Sequence, residues 1–589
     1  MNNNKMIKTM KSKSIIGAVL AAIFTIGFTT SCEDMFNIES SRVIYEHNHD
    51  LGSTADSAYT TNGILQCVRE IADRYVILGE VRGDLVEINN LTKTSLRNIA
   101  EFNFDEANEY LNIRDYYAVI NNCNYALAKM DTTLAHNNER VMVDEYAAIL
   151  GIRAWTYMQM AINYGEVPYF TEPITTVAAS EKEYPSLNIK EMAAELIPQL
   201  IPYVDYELPT FTGNPQVFPP LQLVLADLYL WNGDYANAWA TYWDYLTTNK
   251  NFNLSYGEVN RQEVFKGYMG INAAAIQAVQ VLGKSTPQIT PTWDSYFSRV
   301  ITATTGFENL AYITMERSNA LGKVSELASL FVSDDNTHQL NASTYLKEIC
   351  SSQTYIRANK TLEGDVKDYS INVMAGGDQR RKYHSVSSIA EGESFEYYDK
   401  LVSADITTGQ IEYVTPQINI YRRSIVYLRA AEALNALAKE QGSDSLAVMS
   451  FNLLKDAYQV FFPKGHVLKT ELQQAFIGVH ARGCGDVYLD TAVYVLKPNA
   501  IAQRLYNDPE QVVTFNDTIN YIDELIIDEL AMEAAIEGNR FGDLVRFAER
   551  RNEPEFLAKR VASRKGQNQM DDELYNKLMD KANWYLPVK

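Results

Sequence analysis

Cysteine is scarce in this chain. Its 589 residues carry five, with no CxxC pair and no zinc-like spacing. A dense disulfide framework and a cysteine-rich zinc site are therefore excluded. Histidine is nearly as scarce, at seven. Five of these, at 136, 338, 384, 466 and 480, are scattered, and neither HExxH nor a GxSxG elbow occurs. The other two fall in HNHD (47–50), which lacks a further ligand at helical spacing and reads as a solvated linker. Basic charge is also short, with 52 Lys and Arg against 74 Asp and Glu and a net charge of −22. Phosphate binding needs clustered cations, so nucleic acid is not expected as a partner. No apolar run after residue 28 is long enough to cross a bilayer as a helix, which takes about 20 residues.

The amino terminus is distinctive. Lys5, Lys8, Lys11 and Lys13 precede the apolar run IIGAVLAAIFTIGF (15–28), the layout of a secretory signal. The run ends in TTSC, so Cys32 follows small residues. This resembles a bacterial lipobox, in which the cysteine is lipidated and becomes the first mature residue. Thr29 stands where Leu is usual. Glu33 and Asp34 come next and resemble a surface-export signal. The expected organisation is a signal peptide at 1–31, a lipidated tether at 32–50, and one domain at 51–589. Cys67, Cys123, Cys350 and Cys484 are expected to be buried thiols, because a core of this size needs no staples.

Past residue 50, helical periodicity dominates. YYAVINNCNYALAKM (116–130) places Tyr117, Ile120, Asn124 and Leu127 near one face. EYAAILGIRAWTYMQMAINYG (145–165) is a long apolar helix stopped by Gly165. The segment 219–246 reads as helix, turn at NGD, helix, begun by Pro219 and Pro220. Further helices are expected at 424–440 and 521–538. In 219–246, Ala226, Tyr229, Leu230, Gly233 and Ala236 resemble a tetratricopeptide unit, but the period is irregular. The expected fold is therefore mostly α, a degenerate helical-hairpin scaffold. Irregular stretches at 81–112, about 250–320 and about 355–420 interrupt it, and such long insertions often bind ligands.

AVQVLGKS (278–285) fits a loose phosphate-loop pattern. Pro287 and Pro291 follow it, where the pattern requires a helix, so nucleotide binding is not expected. A carboxylate pair for glycoside hydrolysis is defined in space and cannot be read here. No cofactor and no metal is expected.

CEDMF (32–36), GEVRGDLVEI (79–88), GIRAWTYMQMAINYGEVPYF (151–170), VYLRAAEALNAL (426–437), ELAMEAAIEGNRFGDLVRF (529–547) and NWYLPV (583–588) occur in this order. Together they resemble the SusD/RagB family of Bacteroidetes outer-membrane lipoproteins. That resemblance implies four helical hairpin pairs with irregular segments forming a ligand face. It also implies a SusC-like TonB-dependent transporter as partner, oligosaccharides as ligand (peptides in some members), and no catalysis. By position it points to Arg82, Asp84 and Asn89 in the early loop, and to Trp293, Tyr296 and Phe297 in the middle insertion. The competing readings are a local Arg82–Asp84 ion pair and aromatics packed beneath the loop. A peptide ligand, a secreted glycosidase and a purely structural lid remain the alternatives for function.

EGNRFGDLVRFAERR (537–551) carries four arginines in an acidic chain. Glu537, Arg540, Asp543, Arg546 and Glu549 alternate in sign every three residues, a spacing that lets helical neighbours attract. Gly538 is expected to end the preceding helix. The arginines are expected to be paired across a helix–helix joint rather than offered to a polyanion.

Overall fold

The computed structural model describes residues 53–137, 139–210, 213–248, 309–331, 337–360, 369–375, 377–378, 380, 386–390, 393–397, 401, 403–404, 411–412, 414–455, 479–480 and 494–588. Ten helices build its frame: α1 (Thr54–Glu80), α2 (Arg114–Lys129), α3 (Val143–Tyr164), α4 (Ile189–Leu200), α5 (Leu221–Asn232), α6 (Tyr235–Thr248), α7 (Arg423–Gln441), α8 (Asp444–Lys455), α9 (Phe515–Ala534) and α10 (Arg540–Arg551). Each packs on the next, and α10 returns to pack on α1. The scaffold is thus the expected succession of helical hairpins, closed on itself by its last helix.

Local chemistry sets the helix ends. Asn188 caps α4 and Thr514 caps α9, each in a reciprocal capping box with the acid three residues on. Gly233 (φ +84°) closes α5. Its N–H donates to the Leu230 carbonyl (3.3 Å) and the Asp234 N–H donates to that of Tyr229 (2.9 Å), a Schellman turn into α6. The expected stop at Gly165 is also present. α3 and α7 are buried on nearly every side, which explains why both sequences are apolar around most of their circumference. Each large apolar side chain so buried contributes about 1.5–3 kcal/mol.

One predicted face is rotated. α2 buries Tyr116, Val119, Ile120, Cys123, Asn124 and Ala126, while Tyr117 and Leu127 are only half-buried. Tyr116 meets Tyr164 edge-on at 6.1 Å, and Asn124 bridges the Arg153 guanidinium (2.8 Å) and the Phe170 carbonyl (3.1 Å). These contacts turn the helix by about one residue relative to its simple apolar stripe.

The stretches expected to be irregular contain strands. β1 (Val86–Ile88) pairs antiparallel with β3 (Leu340–Ala342), and β2 (Asn309–Thr314) with β6 (Gln417–Arg422). β4 (Thr354–Lys360) and β5 (Tyr369–Ala375) form a hairpin. β6 is wholly buried and β2 nearly so. The β2–β6 pair ties the ends of both insertions to the start of α7.

Candidate functional site

The arginine-rich stretch is internal. Arg540, in the first turn of α10, donates to both oxygens of Asp84 (2.6 and 2.7 Å) and to the Ile527 carbonyl (2.6 Å). Arg546 grips Glu432 of α7 through two hydrogen bonds (2.9 and 2.7 Å) and donates to Asp543 (2.7 Å). Arg550 binds Asp523 of α9 (3.0 and 3.1 Å). Burial pulls the Arg540 guanidinium down, but Asp84 more than offsets this and its pKa is raised. The expected joint is therefore present, with different partners from those the three-residue spacing suggests. Only Asp543–Arg546 is a neighbour pair. Glu537 accepts from Arg422 of β6 (2.6 and 2.8 Å), and Glu549 pairs with Lys581 (3.0 Å).

This arrangement removes two residues from the expected ligand face. Arg82 and Asp84 are fully buried. They do not pair with each other, because Asp84 is taken by Arg540. Arg82 instead donates to the carbonyls of Leu78 (3.0 Å) and Trp584 (3.1 Å) and to the Asn163 side chain, and lies over the Phe541 ring at 3.8 Å. Burial outweighs the opposing effect of Tyr164, Tyr116 and Tyr585 and lowers its pKa to about 9. Asn89 is half-buried and knots its own loop. It donates to the His338 carbonyl (3.0 Å) and the Asn341 side chain (3.1 Å), and accepts from the Leu91 amide (2.8 Å). Leu91, at the loop tip, is 56% exposed. Trp293, Tyr296, Phe297 and Cys32 lie outside the described residues, as do HNHD (47–50), 278–285 and Cys484. Cys123 and Cys350 are buried thiols as expected, whereas Cys67 is only half-buried.

Glu80 sits where α1 meets the turn before α10. It accepts from the Gly538 amide (2.8 Å). Burial outweighs the amides of Ile536, Gly538 and Arg540 and raises its pKa to about 7. Between about pH 4.5 and 7 the folded state therefore holds a proton that the unfolded state has lost. This contribution to stability is full below pH 4.5 and disappears as pH rises through 7. Melting curves from pH 5 to 8 are expected to show that decline in the wild type, and Glu80→Gln is expected to lack it.

A polar recess lies between α3, α5, β6, α7 and the turn into α10. Asp227 at its wall accepts from Tyr242, from Tyr421 (2.6 Å) and from Arg429 (2.6 Å). Asn539 accepts from Arg429 and from Tyr75, both at 2.9 Å. Burial, reinforced by Asp227, pushes the Tyr242 and Tyr421 phenols well up, so both stay protonated as donors. With three donors on Asp227, the recess acts as a core hub.

The surface offers different chemistry. Trp239 and Trp243, half-buried on α6, lie with ring centroids 4.9 Å apart and planes tilted by 35°. Ala238, Tyr242, Tyr245 and Leu246 form the buried face of α6, so the tryptophans flank it. Gln222 and Asp244 (2.7 Å), and Asn237 and Asp234 (2.7 Å), add exposed polar pairs on this hairpin. An aromatic ridge beside amides and carboxylates can stack on a sugar ring and bond its hydroxyls. By periodicity alone, AWATYWDYL (238–246) reads only as a packing helix. The signal for the ridge is the i,i+4 tryptophan pair, one step off the buried stripe.

Among the described residues no cluster of three or more His, Cys, Asp or Glu could hold a metal, and no helix is long and apolar enough to cross a membrane. Residues 333–589 match the SusD family model. Solved structures share the fold across most of the chain. A SusD superfamily protein of Bacteroides vulgatus is 13% identical, with TM-score 0.55 over 89% of this chain and 92% of the other. A SusD homolog of Bacteroides thetaiotaomicron is 14% identical, with TM-score 0.53 over 91% and 94%. A SusD-like carbohydrate binding protein of Bacteroides vulgatus is 14% identical, with TM-score 0.51 over 84% of each chain. No curated protein matches.

Proposed function

We propose that this chain, whose residues 333–589 match the SusD family model, captures oligosaccharides at the cell surface without cleaving them. In this reading it is anchored in the outer membrane by lipid on Cys32. It passes its ligand to a SusC-like TonB-dependent transporter. The family match carries the proposal, and a solved neighbour of the same fold is a SusD-like carbohydrate binding protein. The Trp239–Trp243 ridge supports it from this chain's own residues. In this proposal Trp293, Tyr296 and Phe297 of the middle insertion also contact the ligand.

Alanine at Trp239 or Trp243 is expected to weaken binding to the recognised glycan about tenfold, the scale of one stacking contact. Calorimetry on the purified chain reads this, with the melting temperature near that of wild type. Unchanged affinity in both variants would remove the ridge from the site.

A further inference from the structure

Between Glu191 and Asn249 the sequence has no Lys, Arg or His across 59 residues. The same stretch holds seven acids and eleven aromatics. It covers α4 after Lys190 and all of α5 and α6, including the tryptophan ridge. A second set of surface aromatics begins where α4 ends. Tyr203 lies in the 3₁₀ turn Ile201–Tyr203, with Tyr206 just beyond. Tyr146, in the first turn of α3, meets Tyr203 at 5.0 Å between centroids, and Tyr203 meets Tyr206 at 6.0 Å. Tyr206 and Ile201 are exposed, and Tyr146 and Tyr203 half-buried.

Carboxylates rim this ladder. Asp144 and Glu145 begin α3, and Glu207 follows Tyr206. Burial and then the Glu207 charge raise Asp144, while burial and then Asp144 raise Glu145. No cation is among the groups acting on either. The nearby guanidinium of Arg153 is buried and donates to Asn124 (2.8 Å) and Gln199 (2.7 Å) rather than to the rimming carboxylates.

We propose that Tyr146, Tyr203 and Tyr206 form a second contact surface for an uncharged polysaccharide, with Tyr203 and Tyr206 on the same cation-free stretch of chain as the Trp239–Trp243 ridge. This rests on the capture reading above and names its ligand class. Three rings in series follow successive sugar units, and the rimming carboxylates accept hydroxyl protons. The same carboxylates repel uronates and sulfate esters. Two contacts on one chain bind a polymer by avidity, whereas a short oligosaccharide fills only one.

The test uses the full chain and its Tyr203→Ala/Tyr206→Ala variant in affinity gels containing soluble glucan, mannan, xylan or fructan, and in others containing polygalacturonate or chondroitin sulfate. Calorimetry with short oligosaccharides of the retained polymer follows. The wild type is expected to be retarded by an uncharged polymer and by neither anionic one. The double variant is expected to lose about tenfold in polymer affinity while keeping its oligosaccharide affinity and its melting temperature. Tyr203→Phe/Tyr206→Phe, which keeps the rings, is expected to retain polymer binding. Polymer affinity unchanged in the alanine variant overturns this inference alone, as does wild-type binding to an anionic polymer. Retardation by none of the polymers overturns it together with the capture reading.

Discussion

Arg540→Ala is expected to destabilise the fold by about 3–5 kcal/mol, the cost of leaving a buried charge without its partner. Asp84 is fully buried, and Arg540 supplies both of its close charge-assisted hydrogen bonds. Removing the guanidinium also strips the donor from the Ile527 carbonyl on α9. Arg540→Lys is expected to be intermediate, since an ammonium cannot reproduce the two-pronged geometry. Adding Asp84→Asn to Arg540→Ala should recover part of the loss, because the uncompensated charge is gone. Urea unfolding of the single and double variants measures this coupling. Glycan affinity of the folded fraction is expected to stay at the wild-type value, since neither residue reaches the surface. A large affinity change at unchanged stability would contradict the structural role assigned to this stretch.

Gly79→Ala is expected to be the most damaging single methyl among the described residues. A Cβ there would stand 1.9 Å from the Gly538 carbonyl oxygen, and the obstacle is backbone rather than a movable side chain. Gly538 has φ of +83° and is itself pressed against Tyr75, where a Cβ would stand only 2.8 Å from the ring. The end of α1 and the turn into α10 would have to separate, taking the Glu80–Gly538 hydrogen bond and the Arg540–Asp84 pair with them. Overpacking usually costs about 1–3 kcal/mol. Here three linked contacts fail together, so the expectation is at least the top of that range, seen as a chain that scarcely accumulates folded. Gly63→Ala, on the same helix with nothing within 4 Å, is the control. It is expected to gain about 0.5–1 kcal/mol from helix propensity alone. Equal melting temperatures for the two variants would show that the close approach does not hold the fold together.

The helices were legible because their signals are local. Apolar periodicity marked α3, α5, α6, α7 and α9, and Gly165 and Gly233 marked two of their ends. The role of the arginine-rich stretch was legible as a class of interaction, a joint, but not in its partners. Asp84 lies 456 residues from Arg540 in sequence, and no spacing rule connects them. The same distance explains the misplacement of Arg82 and Asp84. A charged pair in a polar loop looks exposed until the counter-charge on α10 and the carbonyls of Asn163 and Trp584 are brought to it. Trp239 and Trp243 were hidden for the opposite reason. On a strongly apolar helix, a flanking aromatic is indistinguishable from a core one until the buried face is fixed by its neighbours.

The central claim is that this chain holds glycans without processing them. Purified protein incubated with the panel of soluble polysaccharides, followed by both affinity gel retardation and a reducing-end assay, tests it most directly. Retention by at least one uncharged polymer, with no new reducing ends, is the predicted result. Release of reducing ends, or retention of tryptic peptides with no polysaccharide held, would contradict it.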